Sequence, residues 1–268
     1  MRDLVTDFAE RFARRIAREV QPARADLESQ RDVYAAIAEL RRRSGDASLA
    51  TSELRVFSQN GEDGVLAEIF ARIGTSSRSF VEFGVEDGTE CNTRYLADVL
   101  GWSGLYIEAH REEFEILSTR YAARDDVHTT CAMVTPANVN DLIGTDDFDV
   151  LSIDVDGQDY WIWEAVAAKP RVVVIEYNAH LRGRTVETKG TAGWNDTDAF
   201  GASIDALTAL AERKGYRLVH QELTGTNAFF VWGDLADRFP EPVLPRGANY
   251  YLRGRSHHPP GSVDFTHV

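Results

Sequence analysis

The residues of this chain best suited to chemistry stand just after runs of apolar residues. Phe80-Val81-Glu82-Phe83 leads into Gly84-Val85-Glu86-Asp87-Gly88. Glycines at 84 and 88 let a backbone turn tightly and approach a ligand that a Cβ would exclude. Glu108 closes the next apolar run, Gly104 to Glu108, and a carboxylate there can accept hydrogen bonds from two ribose hydroxyls. Asp154 ends a later run, with Asp156 two residues on; Glu176 ends another, with Asn178 and His180 just beyond. Carboxylates from adjacent strand ends make an oxygen set suited to Mg²⁺, and such an ion lowers the pKa of a hydroxyl bound to it. Asp156 and His180 are candidates for a general base, His180 because imidazole titrates nearest to neutral pH.

These side chains can converge only if the runs are strands of one sheet. From Gly61 onward, apolar strands alternate with amphipathic helices, the pattern of a parallel α/β sheet. Strands are expected at 79–83, 104–108, 127–132, 149–154 and 171–177, and helices near 62–73, 113–122, 137–143 and 160–167. Ligands of such sheets bind at the carboxyl ends of the strands, where the residues above lie. A helix over 203–214 precedes two more strands, 216–220 and 227–232, whose short Gly225-bearing connection reads as an antiparallel hairpin. Residues 181–199 lack a clear period and read as a loop over the site, with Trp194 placed to stack on a sugar ring. The proline-bearing tail from Pro240 reads as irregular. Trp161 and Trp163 cannot share a helix face, so at least one belongs to the core.

Residues 1–50 stand apart as a helical arm, and 51–268 form the catalytic domain. In the arm, Leu4, Phe8, Phe12, Ile16 and Val20 recur every four residues along one side of a helix. It is expected to cover the substrate, to pair two copies in a homodimer, or to pack on its own domain. A chain of 268 residues suffices for one full α/β domain. Its 43 acidic residues against 29 basic ones give a formal charge of -14, which repels phosphate backbones and anionic bilayers. Neither nucleic acid nor membrane is therefore an expected partner. Two cysteines, Cys91 and Cys131, make no disulfide framework, and the N-terminus lacks the apolar core of a secretion signal. The expected location is the cytoplasm.

The acids of the glycine loop bear on what it binds. Glu82, Glu86 and Asp87 stand where a dinucleotide loop would carry GxGxxG, and they oppose a pyrophosphate. An NAD-linked dehydrogenase is thereby disfavoured, whereas a cationic sulfonium ligand suits the loop.

Ser58-Gln59-Asn60-Gly61-Glu62-Asp63-Gly64, Phe80 to Gly84, Asp87-Gly88-Thr89, Leu151 to Gly157 and Asn227 to Val231 together resemble the FkbM-type class I S-adenosylmethionine (SAM)-dependent methyltransferases. The resemblance covers residues 55–232. It implies a Rossmann-like seven-stranded sheet with an antiparallel hairpin at its end, and SAM as cofactor. It places Glu82, Gly84 and Gly88 at the methionine and sulfonium end and Glu108 on the ribose. Gln59 and Asn60 would reach the amino-acid part of SAM, as would Asn92 and Thr93 at the start of a helix. The acids further along look similar to those of metal-dependent sugar and catechol O-methyltransferases. That likeness implies Asp154, Glu176 and Asn178 as Mg²⁺ ligands, with Asn178 one residue past the usual position. It also implies a saccharide or glycosylated metabolite as the acceptor. Two alternatives stay open: metal-free methylation of a lipid or other natural-product hydroxyl, which expects an apolar acceptor pocket, and a non-catalytic SAM-binding protein.

Overall fold

A computed structural model describes residues 39, 48–190, 197–239, 243, 246–249 and 259–268. The expected N-terminal helices, apart from Glu39, lie outside the described residues, as does Trp194.

Seven strands form one sheet: β1 (Ser79–Phe83), β2 (Ser103–Glu108), β3 (Val127–Cys131), β4 (Val150–Ile153), β5 (Val172–Glu176), β7 (Tyr216–Gln221) and β8 (Asn227–Trp232). Their spatial order is β3-β2-β1-β4-β5-β8-β7. All run parallel except β8, which is antiparallel to both of its neighbours. This is the Rossmann-like seven-stranded sheet expected from the sequence, hairpin included. The order reverses between β1 and β4, and such a reversal opens a crevice at the strand ends.

Helices cover both faces, which is why the strands read as nearly continuous apolar runs. Phe80, Val150, Val172, Val174, Phe229 and Val231 pack with Val65, Leu66 and Ile69 of α1 (Glu62–Ile73). The same side carries α2 (Arg94–Asp98) through Leu96 and α3 (Arg111–Tyr121) through Leu117. Alternate residues, Val81, Leu151, Val173, Ile175 and Phe230, face α4 (Val139–Ile143), α5 (Asp159–Ala165) and α6 (Ile204–Lys214). Trp163 belongs to that second core at 1% exposure, while Trp161 is only half-buried. Both cysteines are free.

Two expectations are corrected. The segment expected as plain loop contains β6 (Thr185–Glu187), and the tail expected to be irregular contains β9 (Phe265–His267). They pair antiparallel as a second, two-stranded sheet. Each is three residues long, too short for side-chain periodicity to reveal, and each is defined only by its distant partner. No helix among the described residues is long and apolar enough to cross a membrane.

Candidate active site

The glycine loop is shaped mostly by the protein itself. Gly84 has φ +70°, and a Cβ there would stand 1.6 Å from the carbonyl oxygen of Asp154. Gly88 has φ +76°, and its Cβ would meet Leu117 at 2.7 Å. Both glycines are thus demanded by contacts within the chain, where the sequence suggested ligand approach. Glu86 is also left-handed, at φ 48°, and is exposed at the rim.

Glu82 lies beneath the loop. It is 3% exposed. Its carboxylate accepts hydrogen bonds from the backbone N–H of Asn92 (2.8 Å) and Thr93 (3.0 Å), from the Thr93 hydroxyl, and from Ser152 Oγ (3.2 Å). Burial raises its pKa, and these donors oppose the rise. The amides of Asn92 and Thr93 do meet a carboxylate, as expected of a helix start, but it is the protein's own. Asn92 Nδ2 is likewise taken by Ser152 Oγ at 3.1 Å. Glu82, Asn92 and Thr93 therefore fix the loop from beneath.

Glu108 sits as the sequence placed it. It is buried at the end of β2, and its two oxygens accept from Glu86 N–H (2.8 Å) and His110 N–H (2.6 Å). A carboxylate oxygen has two lone-pair sites, so each retains capacity for a ribose hydroxyl. The glycine loop and the acid thus form one unit, because the loop's own amide is what orients the carboxylate. Around it the field is negative. Glu86 has its pKa raised by burial and then by Glu113, Asp156, Asp87 and Glu108.

Asn60 belongs to a buried polar network. Asn60 donates from its backbone (2.7 Å) and side chain (3.1 Å) to Glu62, and Asn227 Nδ2 donates to the same carboxylate at 2.8 Å. Asp63 accepts from the amides of Val56, Phe57 and Ser58 through one oxygen. Asn60 is fully buried and Gln59 half-buried. The Ser58–Gly64 segment thus ties α1 to the hairpin, a role its sequence did not disclose.

Beyond the ends of β4 and β5, Asp154, Asp156 and Glu176 each bring a carboxylate oxygen within 4.8 Å of the others. Asp154 and Glu176 are half-buried and Asp156 is exposed. Asn178, expected as a ligand, has its side-chain amide engaged within the chain. It is fully buried, donates to the carbonyls of Asp198 (2.8 Å) and Phe200 (3.0 Å), and accepts from His180 N–H (2.9 Å). Counting along β5 could not show this, because the carbonyls that Asn178 meets belong to residues far along the chain. Asp156 takes its place in the cluster. His180 is exposed in the turn beyond β5.

The loop carrying Asp154 and Asp156 is held by a residue the sequence reading passed over. Asp159 is buried and accepts from Val155 N–H and Gly157 N–H, each at 2.9 Å. Burial pushes its pKa up to about 7, with a smaller contribution from Asp156. Glu187 of β6 closes the other side. A Cβ on Gly157 would fall 2.5 Å from its Oε2, and its carbonyl accepts from Trp161 Nε1 at 2.8 Å. The acid two residues after the DxDG turn was the signal available for Asp159; none was available for Glu187.

No family model matches the sequence, and no curated protein matches it. Solved structures with some likeness include a putative sarcosine dimethylglycine methyltransferase from Galdieria sulphuraria, at 13% identity and TM-score 0.42, covering 59% of this chain and 62% of that one. The N-terminal domain of EvdMO1 with SAH bound gives 16% identity and TM-score 0.42, covering 65% and 80%. An S-adenosylmethionine-dependent methyltransferase from Clostridium acetobutylicum gives 8% and 0.42, covering 63% and 89%. The chain spans less than two thirds of the first of these. The fold is defined by the strand order itself.

Proposed function

We propose that this chain is a class I SAM-dependent methyltransferase acting on a hydroxyl of a saccharide or glycosylated metabolite. The observation that carries the reading is Glu108, a buried carboxylate oriented by the amide of Glu86 beside the glycine loop, with lone pairs left for a ribose. The reversed β8, inserted between β5 and β7, supports it too, since it departs from the 3-2-1-4-5-6 order of the dinucleotide-binding sheet. The acids Glu86, Asp87 and Glu113 favour a sulfonium and disfavour a pyrophosphate.

Methyl transfer needs the acceptor oxygen aligned with the sulfonium carbon and relieved of its proton. Asp154, at the strand end next to Gly84, is the residue we assign to the acceptor; Asp156 and His180 are the candidates for proton removal. The acceptor rim is polar, which supports a sugar over the apolar pocket that a lipid would require. Asp154, Asp156 and Glu176 would hold Mg²⁺, whose chemistry is to acidify a bound hydroxyl. An enzyme of the cytoplasm acting on a soluble sugar is the corresponding biological reading, and the N-terminal arm is its candidate for dimer contact or substrate cover.

Calorimetry with S-adenosylhomocysteine (SAH) and a radiolabelled-methyl screen of sugar acceptors, with and without EDTA, test this. Binding of SAH and label in a sugar are expected, with EDTA suppressing transfer. No heat with SAH or SAM would end the methyltransferase reading, and label only in apolar acceptors would end the saccharide part.

A further inference from the structure

The carboxyl rim of the sheet changes sign along its length. At the glycine loop, residues 84–90 carry Glu86, Asp87 and Glu90 and no base. Elsewhere the balance is reversed: residues 242–263 carry Arg246, Arg253 and Arg255 and no acid, and the turn after β5 carries Arg182 and Arg184. The fold brings two of these arginines to one place. β8 runs opposite to β7, so the turn that joins them lies at the rim, and Asn227 at its end pairs with Glu176, the last residue of β5. Gly225 of that turn has φ +78°, and a Cβ there would stand 2.7 Å from the carbonyl oxygen of Gly247 and 3.3 Å from Ala179 Cβ. The Asn249 N–H donates to the Thr224 carbonyl at 2.7 Å and holds the segment after Arg246 in place. The turn that carries Arg182 and the segment that carries Arg246 therefore flank a single glycine.

Main-chain carbonyls anchor both guanidiniums. Arg182 Nη1 donates to the carbonyls of Ala179 (2.9 Å) and Leu181 (3.3 Å). Arg246 Nε donates to the carbonyl of Gln221 at 3.4 Å. Neither guanidinium meets a carboxylate among the described residues. The acids bound to the hairpin turn are already committed. Glu222 is buried and accepts from Thr224, Thr226 and Asn227. Glu53 is buried and accepts from His220 and Leu223. A guanidinium carries five N–H donors, so most of each fork is left for a ligand.

Arginine forks match phosphate and carboxylate oxygens in plane and spacing, and donors already held in place lose little freedom on binding. A neutral sugar would leave both charges without a counterpart, and a cation would be repelled. In a chain of formal charge -14, two arginines without an acid at one turn are a local exception. We infer that Arg182 and Arg246 recognise an anionic group, phosphoryl or carboxylate, on the saccharide acceptor. The inference deepens the proposed function and rests on that reading for calling the ligand an acceptor; the anion site itself stands without it.

Inorganic phosphate and acetate are the probes, titrated into the full chain at low ionic strength with and without SAH and followed by calorimetry. Wild type is expected to bind at least one of them, and the tighter of the two tells a phosphorylated sugar from a uronic one. Arg182→Ala and Arg246→Ala should each weaken that binding at least about tenfold, as loss of charged donors does. Arg184→Ala, which removes an exposed charge from the same turn, should stay within about twofold of wild type. The site is overturned by no binding of either ion to wild type, by unchanged binding in either the Arg182 or the Arg246 variant, or by an equal loss in Arg184→Ala. Should Arg246→Ala not fold, Arg182→Ala, at an exposed position, decides alone. In transfer assays with a labelled methyl group, anionic sugars should take label ahead of their neutral parents, and the reverse order overturns the assignment to the acceptor. Failure of SAH to bind wild type would instead strike the methyltransferase reading and leave the anion site standing.

Discussion

Gly84 and Asp154 meet so closely that a Cβ on the glycine would stand 1.6 Å from the aspartate's carbonyl oxygen. The contact joins the two strands between which the chain reverses its winding, so the glycine loop and the acidic loop share one backbone junction. Gly84→Ala must push those strands apart and also carry a side chain at φ +70°. A loss of about 2–4 kcal/mol in denaturant unfolding is expected, together with loss of SAH binding. A variant of near-normal stability would mean that the junction yields more easily than the packing implies.

The same contact uses only the backbone of Asp154, so its side chain can be changed separately. Asp154→Asn should leave stability and SAH affinity nearly intact while lowering methyl transfer by about a hundredfold or more. Single-turnover assays with a labelled methyl group measure this. Retained turnover would remove Asp154 from the acceptor site.

Glu108 makes the opposite prediction. Replacing it with alanine removes the two acceptor oxygens assigned to the ribose, and hydrogen bonds to charged groups are worth about 1.5–3 kcal/mol each. SAH affinity should fall by at least tenfold, whereas Asp154→Asn leaves it alone. Calorimetry on the two variants side by side separates a cofactor residue from an acceptor residue.

Glu82 is expected to matter for architecture. Glu82→Gln presents an NH₂ group to donors that now surround a carboxylate, at a cost of about 1–3 kcal/mol. The start of α2, held by the amides of Asn92 and Thr93, should loosen. Hydrogen exchange at residues 92–96 reports that loosening directly; unchanged protection would contradict the role given to Glu82.

Glu222 supplies a pH dependence. Burial, then the charges of Glu62 and Glu53, push its pKa up to about 7, above the ordinary value of 4.5. Between those values the folded protein holds a proton that the unfolded chain has released, so stability falls as pH rises from about 4.5 to about 7. Asp159 contributes in the same direction. Glu222→Gln should make the decline shallower in chemical denaturation, and an unaltered slope would show that Glu222 is ionised throughout.

The core elements of the sheet were legible because burial on both faces forces long apolar strands, and amphipathic helices must alternate with them. The position of Glu108 at the end of β2 was legible from the same apolar run. The hydrogen bonding of Glu82 was not legible, because its neighbours along the chain show an acidic loop while its partners, Asn92, Thr93 and Ser152, come from elsewhere. The commitments of Asn178 were hidden in the same way, because the carbonyls it meets belong to Asp198 and Phe200, far along the chain.

By itself the sequence determined the alternation of strands and helices, the antiparallel hairpin and an acid-rich rim, all of which follow from local period and residue type. Tertiary structure alone decided which of those acids stay available and which are spent holding the backbone. It also decided that β6 pairs with β9 and sets the Glu187 carboxylate against Gly157. The reason is that a hydrogen bond between residues far apart in the chain leaves no mark on the spacing of either.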